Sequence, residues 1–196
     1  INKGYRKGLT TKIGDVNDID ILDELSNVSN NDYYFKNIYN IYSKKNNAQL
    51  FLTYINPETF LVNSQNAYVN ESNRNCLINK KMVYFPREKN INNKMASDKT
   101  LLIYKNEITE ASKMLNSSDN LCIAAALTIV NNNRVTIIGS GYDEKYKRFA
   151  PNYYLYYSII NYYKNKCNFL DLNGLSGDFP KVSHYYGLNR FKLRLH

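Results

Sequence analysis

The segment 168-NFLDLNGLSGDFPKVSHYYGLNRFK-192 reads as a strand, a glycine-punctuated loop and the start of a helix that ends on a cation. Phe169, Leu170 and Leu172 form a short apolar run closed by Asn173 and Gly174, which predicts a buried strand ending where glycine can take a positive φ. Leu175 to Pro180 is a loop, and a helix begins after Gly187. At about 100° per residue, Leu188, Phe191 and Leu195 share one face of that helix and Arg190 and Arg194 lie on the opposite side. Lys192 falls at the edge of the apolar face. A lysine there either snorkels to water along its own stem or points into a cleft.

Upstream, Pro151 suits the first position of a helix, and Tyr153, Tyr154, Tyr157, Ile159 and Ile160 give that helix a broad apolar face. This tyrosine-rich helix reads as core in preference to a base-stacking surface. Cys122 to Val130 is a nearly continuous apolar run, and Arg134 to Ile138 follows after Asn131 to Asn133, residues that tolerate the turn of an antiparallel hairpin. Nearer the start, Leu9, Thr11 and Ile13 alternate as a strand and Asp15 to Asp18 offer N-caps for a helix through Val28. A second helix covers about Tyr33 to Lys44, and Gln49 to Ile55 is a strand stopped by Asn56 and Pro57. Between these blocks the sequence turns polar. Leu101, Tyr104, Ile108, Ala111 and Leu115 step by three and four, whereas Tyr68, Leu77, Met82 and Phe85 make no clean seam. With the reversal marked by Pro86, Arg87 and Asn90, the reading is an antiparallel helical hairpin over 63–117, against a disordered insertion of the same composition.

Two blocks of the opening segment, LDLNGLSGDF and YGLNRFK, agree in order and spacing with the end of the FemABX family, the aminoacyltransferases that build peptidoglycan bridges. KGLTTKIGD, AQLFL and YKRFAPNYYLYYSIINYYKNK resemble the second half of a family member too. The resemblance implies an acyl-CoA N-acyltransferase (GNAT)-like α+β fold: a mixed sheet with helices on its faces, over 1–62 and 118–196, with the hairpin inserted between two central strands. It also implies a first domain of the same kind, with this chain beginning where the second would. The family's GFG and the strand beyond it are missing after Arg194, and the ends at Ile1 and His196 suggest a fragment.

The net charge of +9 is unevenly spread. Residues 1–12 hold four cations and no acid, 13–133 hold twelve cations and thirteen acids, and 134–196 hold ten cations and four acids. Cations gathered at the two ends read either as a surface facing a polyanion or as a generally solvated basic face. Cys76, Cys122 and Cys167 have no pairing or metal spacing and read as buried or inert thiols in a reducing compartment. No stretch reads as a signal peptide and no apolar run approaches ~18 residues, so the chain is expected to be soluble.

Of the chemistries open to such a chain, a nucleophilic triad is excluded, because His184 and His196 have no Ser or Cys motif partner. Transfer from acetyl-CoA wants a glycine-rich turn whose backbone donors hold a pyrophosphate, and GYDEKYKRFAPN at 141–152 has none; Pro151 even removes a donor. No cofactor and no metal is expected. The resemblance implies instead aminolysis of an aminoacyl-tRNA ester by the stem peptide of a lipid-linked or UDP-linked peptidoglycan precursor. The setting it implies is the cytoplasmic side of the membrane, with peripheral membrane contact and a paired N-terminal domain or related subunit.

Carried over by motif, Phe191 and Lys192 lie near the ester carbonyl, the lysine stabilising the developing oxyanion. Asp178 either hydrogen-bonds an amine or caps backbone donors of its own loop. Lys145, Lys147, Arg148, Arg190 and Arg194 are candidates for tRNA phosphates, or are only solvated. The competing class is a non-catalytic RNA-binding or interaction module on the same fold, and an acyl-CoA N-acyltransferase is the third.

Overall fold

The computed structural model describes residues 2–26, 33–117 and 121–172, together with Arg190 and Leu193. A short helix α1 (Asn2–Arg6) leads into strand β1 (Leu9–Gly14). Gly8 makes the turn between them at φ +68°, and its missing side chain leaves room for the Asn56 carbonyl, which a Cβ would meet at 2.6 Å. Asp15 and Asp18 then form a reciprocal capping box around a 3₁₀ turn, Val16–Asp18, that opens helix α2 (Ile19–Ser26). Helix α3 (Tyr34–Ser43) and strand β2 (Ala48–Ile55) follow.

Asn56 and Pro57 do more than stop β2. The Asn56 side chain accepts from the Thr59 amide at 2.8 Å and Pro57 occupies the first turn, so the pair starts helix α4 (Pro57–Tyr84) six residues before the position expected from hydrophobic pattern. Helix α5 (Glu88–Asn116) runs back beside it. The chain re-enters the sheet as β3 (Cys122–Asn131) and β4 (Arg134–Tyr142), joined by Asn132 and Asn133 with Asn132 at φ 53°. A 3₁₀ turn (Glu144–Phe149), helix α6 (Pro151–Tyr163) and strand β5 (Phe169–Asp171) complete the described elements.

The sheet order is β1-β2-β3-β4-β5. Asn56 N donates to Gly8 O while Thr11 meets Thr53, and Val130 N donates to Asn47 O while Ile55 N donates to Leu121 O. Both sets of pairings run antiparallel. Among the described strands β5 alone is parallel to its neighbour, in register Thr136 to Asp171 with β4, as a return through the helix α6 requires. The result is a mixed α+β fold with an antiparallel helical hairpin inserted between β2 and β3.

The chain divides into two compact units: Ile1–Lys12, Leu52–Ala124 and Tyr142–Tyr157, and Ile13–Phe51, Ala125–Gly141 and Ser158–His196. In the first, Leu9, Ile55, Phe60, Ala111, Ile123, Phe149 and Tyr154 form one buried cluster, with Met114 and Leu121 against it. Phe60 and Phe149 meet edge to face at 5.1 Å between centroids. The base of the hairpin, through Phe60, Ala111 and Met114, is therefore part of this core. In the second unit the Phe51 ring packs on Tyr162 and Tyr163, and the end of α2 crosses β4 so closely that a Cβ on Gly141 would overlap the Leu25 carbonyl.

Three expectations need correction. Phe169 is 62% exposed and Leu170 and Leu172 are half-buried, because β5 is the last strand of the sheet among the described residues instead of a core strand. The buried face of α6 consists of Tyr154, Leu155, Tyr156, Ile159 and Tyr163, while Ile160 is exposed; the continuous apolar run let the sheet choose the face. Cys76 is exposed on the hairpin and Cys122 and Cys167 are half-buried, and among the described residues none of the three is in a disulfide.

Candidate functional site

The first unit contains a basic cleft of about 390 Å³ at the base of the hairpin, walled by α1, α4, α5 and the 3₁₀ turn before α6. Lys3, Arg6 and Lys7 stand at spacing i, i+3 and i+4, which gathers them on one side of α1 and its C-terminal turn. Arg148 enters from the 3₁₀ turn. Facing them from α5 is Glu107 and, one turn on, Glu110.

Lys7 and Glu107 form an ion pair with both side chains only 12% exposed. The Lys7 Nζ also lies 5.5 Å and 5.9 Å from the ring centroids of Phe60 and Phe149. Arg148 pairs with Glu110 and covers the Phe149 ring at 5.0 Å. Among the described residues no carboxylate pairs with Lys3 or Arg6, which are exposed at the rim. On the α4 wall, Asn63 Nδ2 donates to the Tyr5 carbonyl at 3.2 Å, and the buried Ser64 hydroxyl has no hydrogen-bond partner among the described residues. The site is thus a cationic recess with polar groups on its wall, shaped for an anionic or strongly hydrogen-bonding group.

Of the residues singled out from sequence, Arg148 lines this cleft. Lys147 belongs to a separate surface cluster in which Tyr142 donates to Glu144 at 2.5 Å and Lys147 pairs with Glu144 at 3.0 Å. The hydrogen bond from Tyr142, then that from Lys147, holds the Glu144 carboxyl below its ordinary range, and the same carboxylate pushes the Lys147 ammonium up. Lys145 lies 5.3 Å from the Tyr146 ring centroid. Arg190 is helical and exposed, as is Leu193 three residues on. Phe191, Lys192, Arg194 and Asp178 lie outside the described residues.

Sequence reasoning counted Lys3, Arg6 and Lys7 as charge without placing them together, although their helical spacing carried the signal. Glu107, Glu110 and Ser64 gave no signal of their own, since only the hairpin's packing brings them to α1. Among the described residues no group of three His, Cys, Asp or Glu side chains could hold a metal ion, and no helix is long and apolar enough to cross a membrane.

Comparison with known proteins covers most of the chain. Residues 25–195 match the FemAB family. Aminoacyltransferase FemB of Staphylococcus epidermidis is 31% identical over 90 residues, 45% of this chain and 22% of that protein. The lipid II:glycine glycyltransferase of Staphylococcus epidermidis is 26% identical over 163 residues, 81% of this chain and 38% of that protein. The crystal structure of FemX superposes with a TM-score of 0.68 at 18% identity, over 97% of this chain and 50% of that one, which extends the likeness to the fold. The chain thus spans half or less of the length of these relatives.

Proposed function

Because the chain belongs to the FemAB family, matched over residues 25–195, we propose that it acts as the aminoacyltransferase half that receives aminoacyl-tRNA and transfers the amino acid to a peptidoglycan precursor's stem peptide. The observation that carries this reading is the extent of the match, which runs through the Phe191–Lys192 motif. The glycyltransferase relative acts on lipid II by its name, which supports a lipid-linked precursor as the acceptor class.

An ester on tRNA is already activated. The acceptor amine attacks the carbonyl carbon, a tetrahedral oxyanion forms, and its collapse breaks the bond to the ribose oxygen. The nitrogen loses a proton and the leaving ribose oxygen gains one. No covalent enzyme intermediate is needed, so the protein's task is to position both partners and stabilise the oxyanion. We assign the stabilising charge to Lys192, with Phe191 shaping the site beside it. Arg190 and Arg194, on the opposite side of the same helical turn by phase, are assigned to tRNA phosphates. The basic cleft supports an anionic partner, because Lys3 and Arg6 are free of carboxylates among the described residues.

The test is single-turnover transfer from charged tRNA to the precursor, with excess of an enzyme that carries both halves. Lys192→Met keeps the apolar stem and deletes the charge. Turnover should fall on the order of a hundredfold to a thousandfold while folding survives. Arg190→Met and Arg194→Met should mainly weaken tRNA affinity. Near-parental transfer by the Lys192 variant would remove the assignment.

A further inference from the structure

The far end of the hairpin carries a surface to which the proposed transfer assigns no role. From Arg74 to Lys94 inclusive there are six cations and a single acid, Glu88. Arg74 is paired with Glu71 and Lys94 with Asp98, but no acid pairs with Lys80, Lys81, Arg87 or Lys89 among the described residues. Interleaved with these cations are large apolar side chains left in water: Leu77 is 61% exposed, Val83 66%, Tyr84 76% and Phe85 61%, with Ile91 and Met95 also exposed on the returning helix. Arg74, Leu77, Lys81, Phe85, Arg87 and Lys89 border one concavity of about 760 Å³.

The tip is also fixed in shape. Asn90 Nδ2 donates to the Phe85 carbonyl at 2.7 Å, and the Arg87 amide donates to the same carbonyl at 2.7 Å. At 1.5 Å per residue the tip stands about 36 Å along α4 from Phe60, beyond the buried cluster.

An exposed apolar patch ringed by unpaired cations matches the two layers of an anionic bilayer surface: hydrocarbon for Val83, Phe85 and Leu77, headgroup phosphates for the lysines and arginines, and the boundary between them for Tyr84. A nucleic acid would engage the cations and aromatic rings but would leave the aliphatic side chains Val83, Leu77, Ile91 and Met95 without a partner, since they present no π face to a base. We propose that the hairpin tip is a membrane-docking wedge that inserts Val83, Tyr84 and Phe85 into the interface of an anionic lipid surface.

The chain has no tryptophan, so Phe85→Trp places a single fluorophore at the tip, at a position exposed enough to accept it. With vesicles of equal parts phosphatidylglycerol and phosphatidylcholine, its emission should shift to the blue and be quenched by brominated acyl chains; with pure phosphatidylcholine it should not shift. Replacing Lys80 and Lys81 together by Gln should weaken partitioning about thirtyfold, about fivefold for each cation at the surface. Flotation of the parental chain with the same vesicles gives the affinity without the added tryptophan. Emission unchanged by anionic vesicles, or a Lys80/Lys81 variant that floats like its parent, would overturn the wedge, as would a blue shift produced by tRNA and not by vesicles. None of these readouts depends on aminoacyl transfer, so the wedge and the proposed transfer stand or fail separately.

Discussion

Tyr163 turns burial into a measurable pH dependence. Thr128 Oγ1 donates to the Gln49 carbonyl at 3.2 Å and meets the Tyr163 hydroxyl at 2.9 Å, which leaves Tyr163 as donor of that bond. Burial pushes the Tyr163 phenol up to about 12. An unfolded tyrosine loses its proton near pH 10, so the native state holds a proton that the unfolded chain has released. The stabilisation is complete below about pH 10 and is lost as pH rises through about 12, by up to roughly 2 to 3 kcal/mol. Tyr163→Phe should flatten that alkaline limb in a plot of Tm against pH and cost about 1 kcal/mol at neutral pH for the deleted bond. An unchanged alkaline limb would assign it to other tyrosines. At the basic cleft, Lys7 and Glu107 make a second residue-scale case. Glu107→Gln leaves the Lys7 ammonium nearly buried without its counter-charge and should destabilise by about 3 kcal/mol. Lys7→Met combined with Glu107→Leu should recover most of that loss, and a double-mutant cycle that shows simple additivity would mean the two side chains do not interact.

At the scale of the element, the hairpin is a coiled coil with a polar middle. Phe60, Ser64, Ala67, Glu71, Asn75, Ile78 and Met82 step by four and three along α4 and are all buried or half-buried. Facing them, Lys94, Ser97, Leu101, Tyr104, Ile108, Ala111 and Leu115 do the same along α5. Glu71 accepts from Ser97 at 2.5 Å and Asn75 donates to Asp98 at 2.8 Å, so polar contacts fix the register where apolar ones thin out. Apolar periodicity alone therefore found the seam of α5 and missed that of α4. The hairpin as a separate insert over 63–117 is a proposal that its packing narrows, because Ala111 and Met114 belong to the core of the first unit. Removing 76–96 and closing with a short loop should keep one cooperative thermal transition, since loop length costs little. Removing 63–117 should lower Tm much further, since it strips core side chains worth about 1 to 3 kcal/mol each. Equal Tm values for the two deletions would contradict a core role for the hairpin base.

At the scale of the molecule, the charge distribution acquires a location. Three of the four cations of residues 1–12 are gathered: Lys3, Arg6 and Lys7 border one cleft with Arg148 from far along the chain. If that cleft receives tRNA phosphates, binding weakens with salt, and Lys3→Gln and Arg6→Gln should each reduce the slope of log affinity against log salt by about one. The measurement is tRNA affinity at several salt concentrations for the parent and both variants. Slopes equal to the parent's would leave the cleft without a role in tRNA binding.

What the sequence determined by itself was local or periodic: the strands from alternation and apolar runs, the asparagine turn at 132–133, Pro151 at the start of α6, the family motifs around Phe191 and Lys192. These signals lie within a few residues of each other, where backbone geometry and side-chain period act directly. Tertiary structure decided which face of α6 is buried, because a helix apolar on nearly every side leaves the choice to its neighbours. It decided that β5 is the last strand of the sheet among the described residues, since strand order is not written in a strand's own residues. It also joined Lys7 to Glu107 and Arg148 to Glu110, pairs separated by 100 and 38 positions. Ion pairs of that separation have no sequence pattern; they form because the packing of Phe60 and Phe149 fixes the backbone from which each charge projects.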